Sequence, residues 1–306
     1  MQRRHRAEAL AAIGLVVIAA SSADAAGDAT PAAAPALTQA RAHPPAPATA
    51  DGSPAEHADR AGPIRVLLLG DSLIATEFGL ELQQILNETT VYVSKRRARS
   101  ATGLARQDVF DWIRAARAAV AQRRPELVVV MIGSNDGQDV VPPATRRRRP
   151  RPFRRVNWEK PGWGAAYRAR VDRLLDQVAA PGREVLWLEL PVMRSRSLDK
   201  KLTRVRKAQR AAVLARPQDA DFLGVVTLMH SVGSPTETWR RHWRRFRRDG
   251  VHFSRRGSRH LAQMILPMIH AMAPRVYMHR FTPRPAPPRT APPRTAPDRP
   301  LRGRPR

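Results

Sequence analysis

The stretch Ile64-Arg65-Val66-Leu67-Leu68-Leu69-Gly70-Asp71-Ser72-Leu73 decides the fold of this chain. An apolar run of strand length ends at Gly70, and a helix-like stretch follows, so Ser72 is predicted to lie on a strand-to-helix turn. A hydroxyl at the amino end of a helix is a candidate nucleophile, because the helix dipole favours negative charge that develops there. The alternative is that Asp71 and Ser72 only form a turn and cap the helix.

Two later blocks complement this turn. Gly133-Ser134-Asn135-Asp136 follows the apolar run 127–132, and Asp249-Gly250-Val251-His252 precedes a terminal helix-like stretch. A nucleophile, an amide donor and an imidazole oriented by an acid are what ester hydrolysis requires. His252 is predicted to be the general base and Asp249 the acceptor that fixes its tautomer. Among the nine histidines, only His252 has an aspartate three residues earlier, although a surface turn would also explain this pair.

Strand-length apolar runs alternate with helix-length segments between residues 64 and 279. The predicted strands are 64–69, 91–94, 126–132, 185–190 and 222–226, and the predicted helices are 75–86, 110–123, 164–178, 198–214 and 257–271. This alternation predicts an α/β fold, a three-layer α/β/α domain around a five-stranded parallel sheet. Ligands of such sheets bind outside the carboxyl ends of the strands, where the blocks at Gly70 and Gly133 fall.

The two ends of the chain differ in composition from this domain. Residues 1–25 have the basic, apolar and small-residue regions of a signal peptide, which predicts an exported, periplasmic or secreted protein; an uncleaved signal would act as an anchor. After cleavage, no transmembrane span is expected. Residues 26–62 are predicted to form a disordered Ala/Pro-rich linker, 63–280 the folded domain, and 281–306 a disordered Pro/Arg-rich tail. The chain has no cysteine, so disulfides are excluded.

Basic residues dominate the charge, with 54 Lys and Arg against 26 Asp and Glu and a formal net charge of +28. Arginine pairs well with phosphate and carboxylate groups, so an anionic polymer of the cell envelope is a reasonable partner, whereas no nucleic acid is expected for an exported protein. Two arginine-rich loops are predicted to border the site and, with the tail, to hold such a polymer. Their arginines are Arg146 to Arg149, Arg151, Arg154 and Arg155, and Arg240, Arg241, Arg244, Arg245, Arg247 and Arg248. The alternative is that both loops are only solvated surface.

The three blocks, in this order, resemble those of the SGNH or GDSL-type hydrolases, and the stretches 100–104, 110–112 and 133–138 resemble recurring features of an exported bacterial branch of poorly defined function. The resemblance implies a flavodoxin-like SGNH hydrolase fold. It also implies an oxyanion hole formed by the backbone N–H groups of Ser72 and Gly103 and the side-chain amide of Asn135. Asp71 and Asp136 are expected to orient the backbone rather than to react.

These residues predict a serine esterase with a Ser72-His252-Asp249 triad, acting on O-acyl and above all O-acetyl esters of an envelope carbohydrate. An O-acyltransferase with the same triad is an alternative, because the two activities differ only in which molecule attacks the acyl-enzyme. A non-catalytic module that binds an anionic polymer is another. No metal or cofactor is expected, since the sequence has neither a His-Glu-x-x-His motif nor a Gly-rich phosphate loop.

Overall fold

A computed structural model describes residues 62–143, 155–231 and 249–281. Five parallel strands form one sheet in the order β2-β1-β3-β4-β5. They are β1 (Ile64–Gly70), β2 (Tyr92–Ala98), β3 (Leu127–Met131), β4 (Glu184–Leu188) and β5 (Asp221–Leu223). The predicted α/β class and five-stranded parallel sheet are confirmed. This order reverses direction between β1 and β3, and such a reversal opens a crevice at the carboxyl ends of the strands.

Helices cover both faces of the sheet. They are α1 (Ser72–Ala75), α2 (Glu77–Asn87), α3 (Trp112–Arg123), α4 (Trp163–Val178), α5 (Arg196–Leu214), α6 (Val225–Ser231) and α7 (Arg255–Phe281). The terminal helix α7 packs on α2, while α3, α4 and α5 pack side by side. Side-chain caps define two of the helix starts: Asp111 accepts from the backbone of Arg114 at 3.1 Å, and Ser195 from that of Leu198 at 3.3 Å.

The residue pattern of each strand reflects how deeply that strand is buried. Every residue of β3 and β4 is buried, which explains why both appear in the sequence as continuous apolar runs. Strand β2 lies at the edge, where the exposed Val93, Lys95 and Arg97 alternate with more buried neighbours. Charged side chains on an edge strand discourage pairing with another sheet.

Three predicted boundaries were wrong. Strand β2 continues to Ala98 rather than ending at 94, because its second half is the half-exposed edge just described. Residues 225–226 begin helix α6 rather than extending the fifth strand. Helix α7 continues past 271 to Phe281 despite Pro267 and Pro274. Its later turns bury Met272, Val276 and Tyr277, and burial of each such side chain contributes about 1.5–3 kcal/mol, which offsets the backbone bonds that a proline removes.

The end of α7 is anchored at the amino ends of the strands. The Arg280 guanidinium donates to the Glu126 carboxylate at 2.7 and 2.8 Å. It also donates to the backbone oxygens of Gly62 at 2.8 Å and Pro63 at 2.9 Å. The start and the end of the described domain are therefore held together at the amino ends of the strands, opposite to their carboxyl ends.

The predicted signal peptide, nearly all of the linker and the tail lie outside the described residues. Within the ranges that the structure describes, no helix is both long and apolar enough to cross a membrane.

Candidate active site

Ser72 is the first residue of helix α1, directly after the turn that ends β1. Asp71 caps this helix, because its carboxylate accepts the backbone N–H of Leu73 at 3.0 Å. Ser72 is 7% exposed. Gly70 is required just before the turn, since a Cβ there would lie 1.9 Å from the backbone oxygen of Met131 on β3. The predicted strand-to-helix position of Ser72 is thus the one the fold adopts.

The Asp71 carboxylate joins the Ser72 turn to the segment after β3. One of its oxygens accepts three hydrogen bonds of 2.8 Å, from the backbone N–H groups of Gly133 and Ser134 and from the Ser134 hydroxyl. Burial raises the pKa of Asp71, and the hydrogen bonds from Leu73, Ser134 and Gly133 oppose this shift. Asp71 therefore fixes the segment that carries Asn135 relative to Ser72.

The Asp136 carboxylate joins the same segment to the loop after β2. It accepts the backbone N–H groups of Leu104 at 2.8 Å and Ala105 at 3.0 Å, and the Tyr167 hydroxyl at 2.7 Å. A Cβ on Gly103 would lie 2.0 Å from one of its oxygens, so only glycine fits against this carboxylate. Burial raises the pKa of Asp136 to about 6, although the hydrogen bonds oppose the shift.

Asn135 lies between these two anchors and is itself exposed. Its side-chain nitrogen donates to the backbone oxygen of Thr102 at 2.9 Å and to the Ser134 hydroxyl at 3.3 Å. The Thr102 hydroxyl in turn donates to Arg99 and accepts from the Trp112 indole. The structure thus brings the blocks of Ser72, Gly103 and Asn135 together at the carboxyl ends of β1, β2 and β3.

Asp249 and His252 form a hydrogen-bonded pair. The distance from His252 Nδ1 to Asp249 Oδ2 is 2.7 Å, and the other carboxylate oxygen accepts the backbone N–H groups of Val251 at 2.9 Å and His252 at 2.8 Å. Burial alone would raise the pKa of Asp249, but the hydrogen bonds from His252 and Val251 outweigh it and hold the pKa well below its usual range. Asp249 is thus an ionised acceptor that orients the ring.

Two contacts place the His252 segment in the fold. The Gly250 backbone oxygen accepts from Arg194 on the loop after β4 at 3.0 Å. Phe253 packs on Phe78 of α2, with ring centroids 6.0 Å apart. His252 Nε2 is buried without a hydrogen-bond partner among the described residues. No hydrogen bond joins it to Ser72 Oγ in that part of the chain, so the Ser72–His252 pairing stays a prediction.

Ion pairs hold the start of α7 on α2. Glu81, which is only 3% exposed, accepts from Arg255 at 2.9 Å and from Arg259 at 3.0 Å. Helix α2 begins two residues after α1, whose first residue is Ser72. The segment that carries His252 and the turn that carries Ser72 are therefore attached to consecutive helices.

Sequence reasoning missed two supporting residues, Tyr167 and Gln209. Tyr167 lies on α4 and Gln209 on α5, and Gln209 donates to the Ile132 backbone oxygen at 2.7 Å and to the Tyr167 hydroxyl at 3.1 Å. Both are buried polar groups in helices of otherwise ordinary pattern. A polar residue on the buried face of a predicted helix was the one available clue.

Most of the two arginine-rich loops lies outside the described residues. Arg155 is described, and it pairs with Asp139 at 2.5 Å. Across the three described ranges, no group of three or more histidine or carboxylate side chains is placed to hold a metal ion.

The strand order and the flanking helices define a three-layer α/β/α domain, and the Gly70 and Gly133 blocks converge at the carboxyl ends of its strands. The chain belongs to the family described as "Protein of unknown function (DUF459)", whose model matches residues 65–268. A comparison with curated protein sequences gives no significant match.

Solved structures with a similar fold include esterases and a protein assigned to the hydrolases. One described as a peptidoglycan O-acetylesterase is 13% identical with a TM-score of 0.50, covering 72% of this chain and 96% of its own. A protein of Slackia heliotrinireducens assigned to the SGNH hydrolases is 19% identical with a TM-score of 0.46, covering 68% and 99%. An acetylxylan esterase from Geobacillus stearothermophilus is 15% identical with a TM-score of 0.40, covering 67% and 94%. At these identities the likeness shows the fold alone, and the α/β/α fold that the SGNH resemblance implied is confirmed.

Proposed function

We propose that this protein is an exported serine esterase that hydrolyses O-acyl esters, above all O-acetyl esters, on a cell-envelope carbohydrate. The observation that carries the proposal is the Asp249–His252 pair, which leaves His252 Nε2 buried and without a hydrogen-bond partner among the described residues. A buried polar atom without a partner is uncommon and lowers stability, so it calls for an explanation, and a role in catalysis provides one.

In this reaction the Ser72 hydroxyl attacks the ester carbonyl and passes its proton to His252 Nε2. Asp249 accepts the Nδ1–H and stabilises the imidazolium that forms. His252 then donates the proton to the departing sugar hydroxyl, which leaves an acyl group on Ser72. Water, deprotonated by the same ring, attacks the acyl-enzyme and releases the acid, and the proton returns to Ser72.

The developing oxyanion is held by the backbone N–H groups of Ser72 and Gly103 and by the amide of Asn135. Removal of one such donor typically lowers turnover by about 10²–10³. The bond from Asn135 to Thr102 uses one of the two amide hydrogens and fixes the plane of the amide. The weaker partner of the amide, the Ser134 hydroxyl at 3.3 Å, is the one that an oxyanion would replace.

The substrate class rests on separate support. The signal-like segment 1–25 favours action outside the cytoplasm. A fold likeness to a peptidoglycan O-acetylesterase agrees with an acetylated envelope polymer as the substrate. Transfer of the acyl group to a sugar hydroxyl would use the same residues, so product analysis with competing polysaccharide separates hydrolysis from transfer.

The Ser72→Ala variant tests the nucleophile. Turnover of p-nitrophenyl acetate and labelling by a fluorophosphonate probe should both be lost, while thermal unfolding stays unchanged. Ser197→Ala is the matched control, because Ser197 is an exposed serine whose hydroxyl hydrogen-bonds with the Ser195 hydroxyl and lies outside the candidate site. Undiminished turnover by the Ser72 variant would refute the assignment. Inactive parent protein that binds an anionic polymer in a salt-sensitive way would favour a binding module instead.

A further inference from the structure

Two open cavities lie beside the candidate site, and the proposed reaction uses neither. One, of about 500 Å³, is lined by Arg97, Phe110 and Arg114 among others. The other, of about 410 Å³, is lined by Arg106, Trp158 and Lys201 among others. Asp108 lines both, so the cavities are neighbours. Cavities of several hundred cubic ångströms are of the size that holds small ligands.

The second cavity, here called the Trp158 cavity, adjoins Asn135. Its wall includes Gly137, Gln138 and Asp139, which directly follow the block of Asn135 and Asp136. The Gln138 side chain donates to the Asn135 backbone oxygen at 2.5 Å and accepts from Arg106 at 3.4 Å. A ligand in this cavity would therefore contact residues that directly follow the proposed oxyanion donor, Asn135, in the sequence.

The charges that line the Trp158 cavity are unevenly compensated. Arg106 pairs with Asp108 at 2.7 Å, and Arg155 pairs with Asp139 at 2.5 Å. Lys201 lines the cavity too, and it has no acidic partner among the described residues. Gly137 allows its close approach, because a Cβ at Gly137 would lie 2.8 Å from the Lys201 Cβ. One positive charge is left available for a ligand.

The aromatic wall of the cavity is held in place. The half-buried Trp158 ring meets Trp163 edge-on, with centroids 4.4 Å apart. The Arg204 guanidinium lies 4.8 Å from its centroid and donates to the Trp158 backbone oxygen. A rigid aromatic ring beside carboxylates and an amide suits a sugar, whose ring has apolar C–H faces and a rim of hydroxyl groups.

We propose that the Trp158 cavity binds a carboxylate-bearing hexose unit of the substrate polysaccharide, with the sugar carboxylate paired to Lys201. The Trp158 ring packs on the sugar face, Asp139 accepts hydrogen bonds from the sugar hydroxyl groups, and the Gln138 amide accepts from them or donates to them. This inference deepens the proposed function and rests on it, because it assigns the cavity to the substrate of that reaction.

The test measures sugar binding to the full-length protein by ligand-observed NMR titration. Two matched pairs are used: N-acetylmuramic acid against N-acetylglucosamine, and glucuronic acid against glucose. The acid of each pair should bind about fivefold more tightly than its neutral partner, as expected for one exposed ion pair, and the advantage should shrink in high salt. Lys201→Ala should abolish the advantage, whereas Lys200→Ala, a neighbouring exposed lysine that does not line the cavity, should keep it.

Equal binding of acid and neutral sugars, or equal losses in the two lysine variants, would overturn the proposal. None of these sugars carries an O-acyl ester, so the measurement does not depend on catalysis. Failure of the esterase proposal would instead appear as absent turnover of p-nitrophenyl acetate, with the sugar titrations unaffected.

Discussion

Replacement of Gly103 by alanine tests the packing on which the arrangement of the site depends. The new Cβ would lie 2.0 Å from one oxygen of Asp136 and 2.6 Å from its carboxyl carbon. An ordinary contact needs about 3.4 Å, so either the carboxylate or the loop must move by roughly 1.4 Å. Asp136 cannot move that far and keep its bonds to the backbone of Leu104 at 2.8 Å and Ala105 at 3.0 Å.

The expected loss of stability follows from those two hydrogen bonds. A hydrogen bond to a charged group contributes about 1.5–3 kcal/mol, so loss of both should lower the free energy of unfolding by about 3–6 kcal/mol. For a domain of this size, a loss of 3 kcal/mol corresponds to a melting temperature lower by about 6–12 °C. If the loop moves instead, the Thr102 oxygen withdraws from Asn135, and turnover should fall as well.

Urea unfolding and p-nitrophenyl acetate turnover, measured on the same preparations, check both effects. Gly164→Ala is the control, because nothing lies within 4 Å of a Cβ there and the residue is in helix α4. It should leave stability unchanged or raise it by about 0.5–1 kcal/mol. A Gly103→Ala protein as stable as the parent would refute the role assigned to Asp136.

Two further predictions concern the aspartates of the site. Asp249→Asn should lower turnover by about 10²–10⁴-fold, because an amide nitrogen facing His252 Nδ1 favours the wrong tautomer of the imidazole. Stability should hardly change, since the Asp249 side chain is exposed. Unaltered turnover would contradict the triad. Asp136 has a pKa of about 6 in the folded protein against an ordinary 3.8, so the folded state binds the proton more tightly. Its contribution to stability is therefore greatest below pH 4 and declines as the pH rises to 6. Between pH 4.5 and 7, Asp136→Asn should gain about 2 kcal/mol relative to the parent in urea unfolding, whereas a constant difference would contradict the shift.

The parts of the fold that were predictable are those that a single run of residues determines. Strand β1 and the Ser72 turn follow from one apolar run and the polar residues after it. The second half of β2 was missed because Lys95 and Arg97 do not look like strand residues until the strand is known to lie at an edge. The end of α7 was missed because Pro274 suggests a stop, and only tertiary packing shows that Tyr277 is buried beyond it.

The candidate site divides in the same way. Its motif residues are recognisable because each lies in a short block, with Asp71 next to Ser72 and Asp249 three residues before His252. Tyr167 and Gln209 reach the same network from helices far along the chain, and nothing near them in sequence indicates a partner. The sequence also could not show that Gly103 is required by the Asp136 carboxylate, since a glycine after a threonine also suits a simple turn.

The Arg280 bridge to Gly62 and Pro63 has a practical consequence for how the molecule can be handled. Polypeptide attached before residue 62 or after residue 281 joins the domain at one shared point, at the amino ends of the strands and away from the proposed catalytic mouth. A solid support coupled close to residue 62 or residue 281 should thus leave the mouth facing outward, free to meet a polymer too large to diffuse around it.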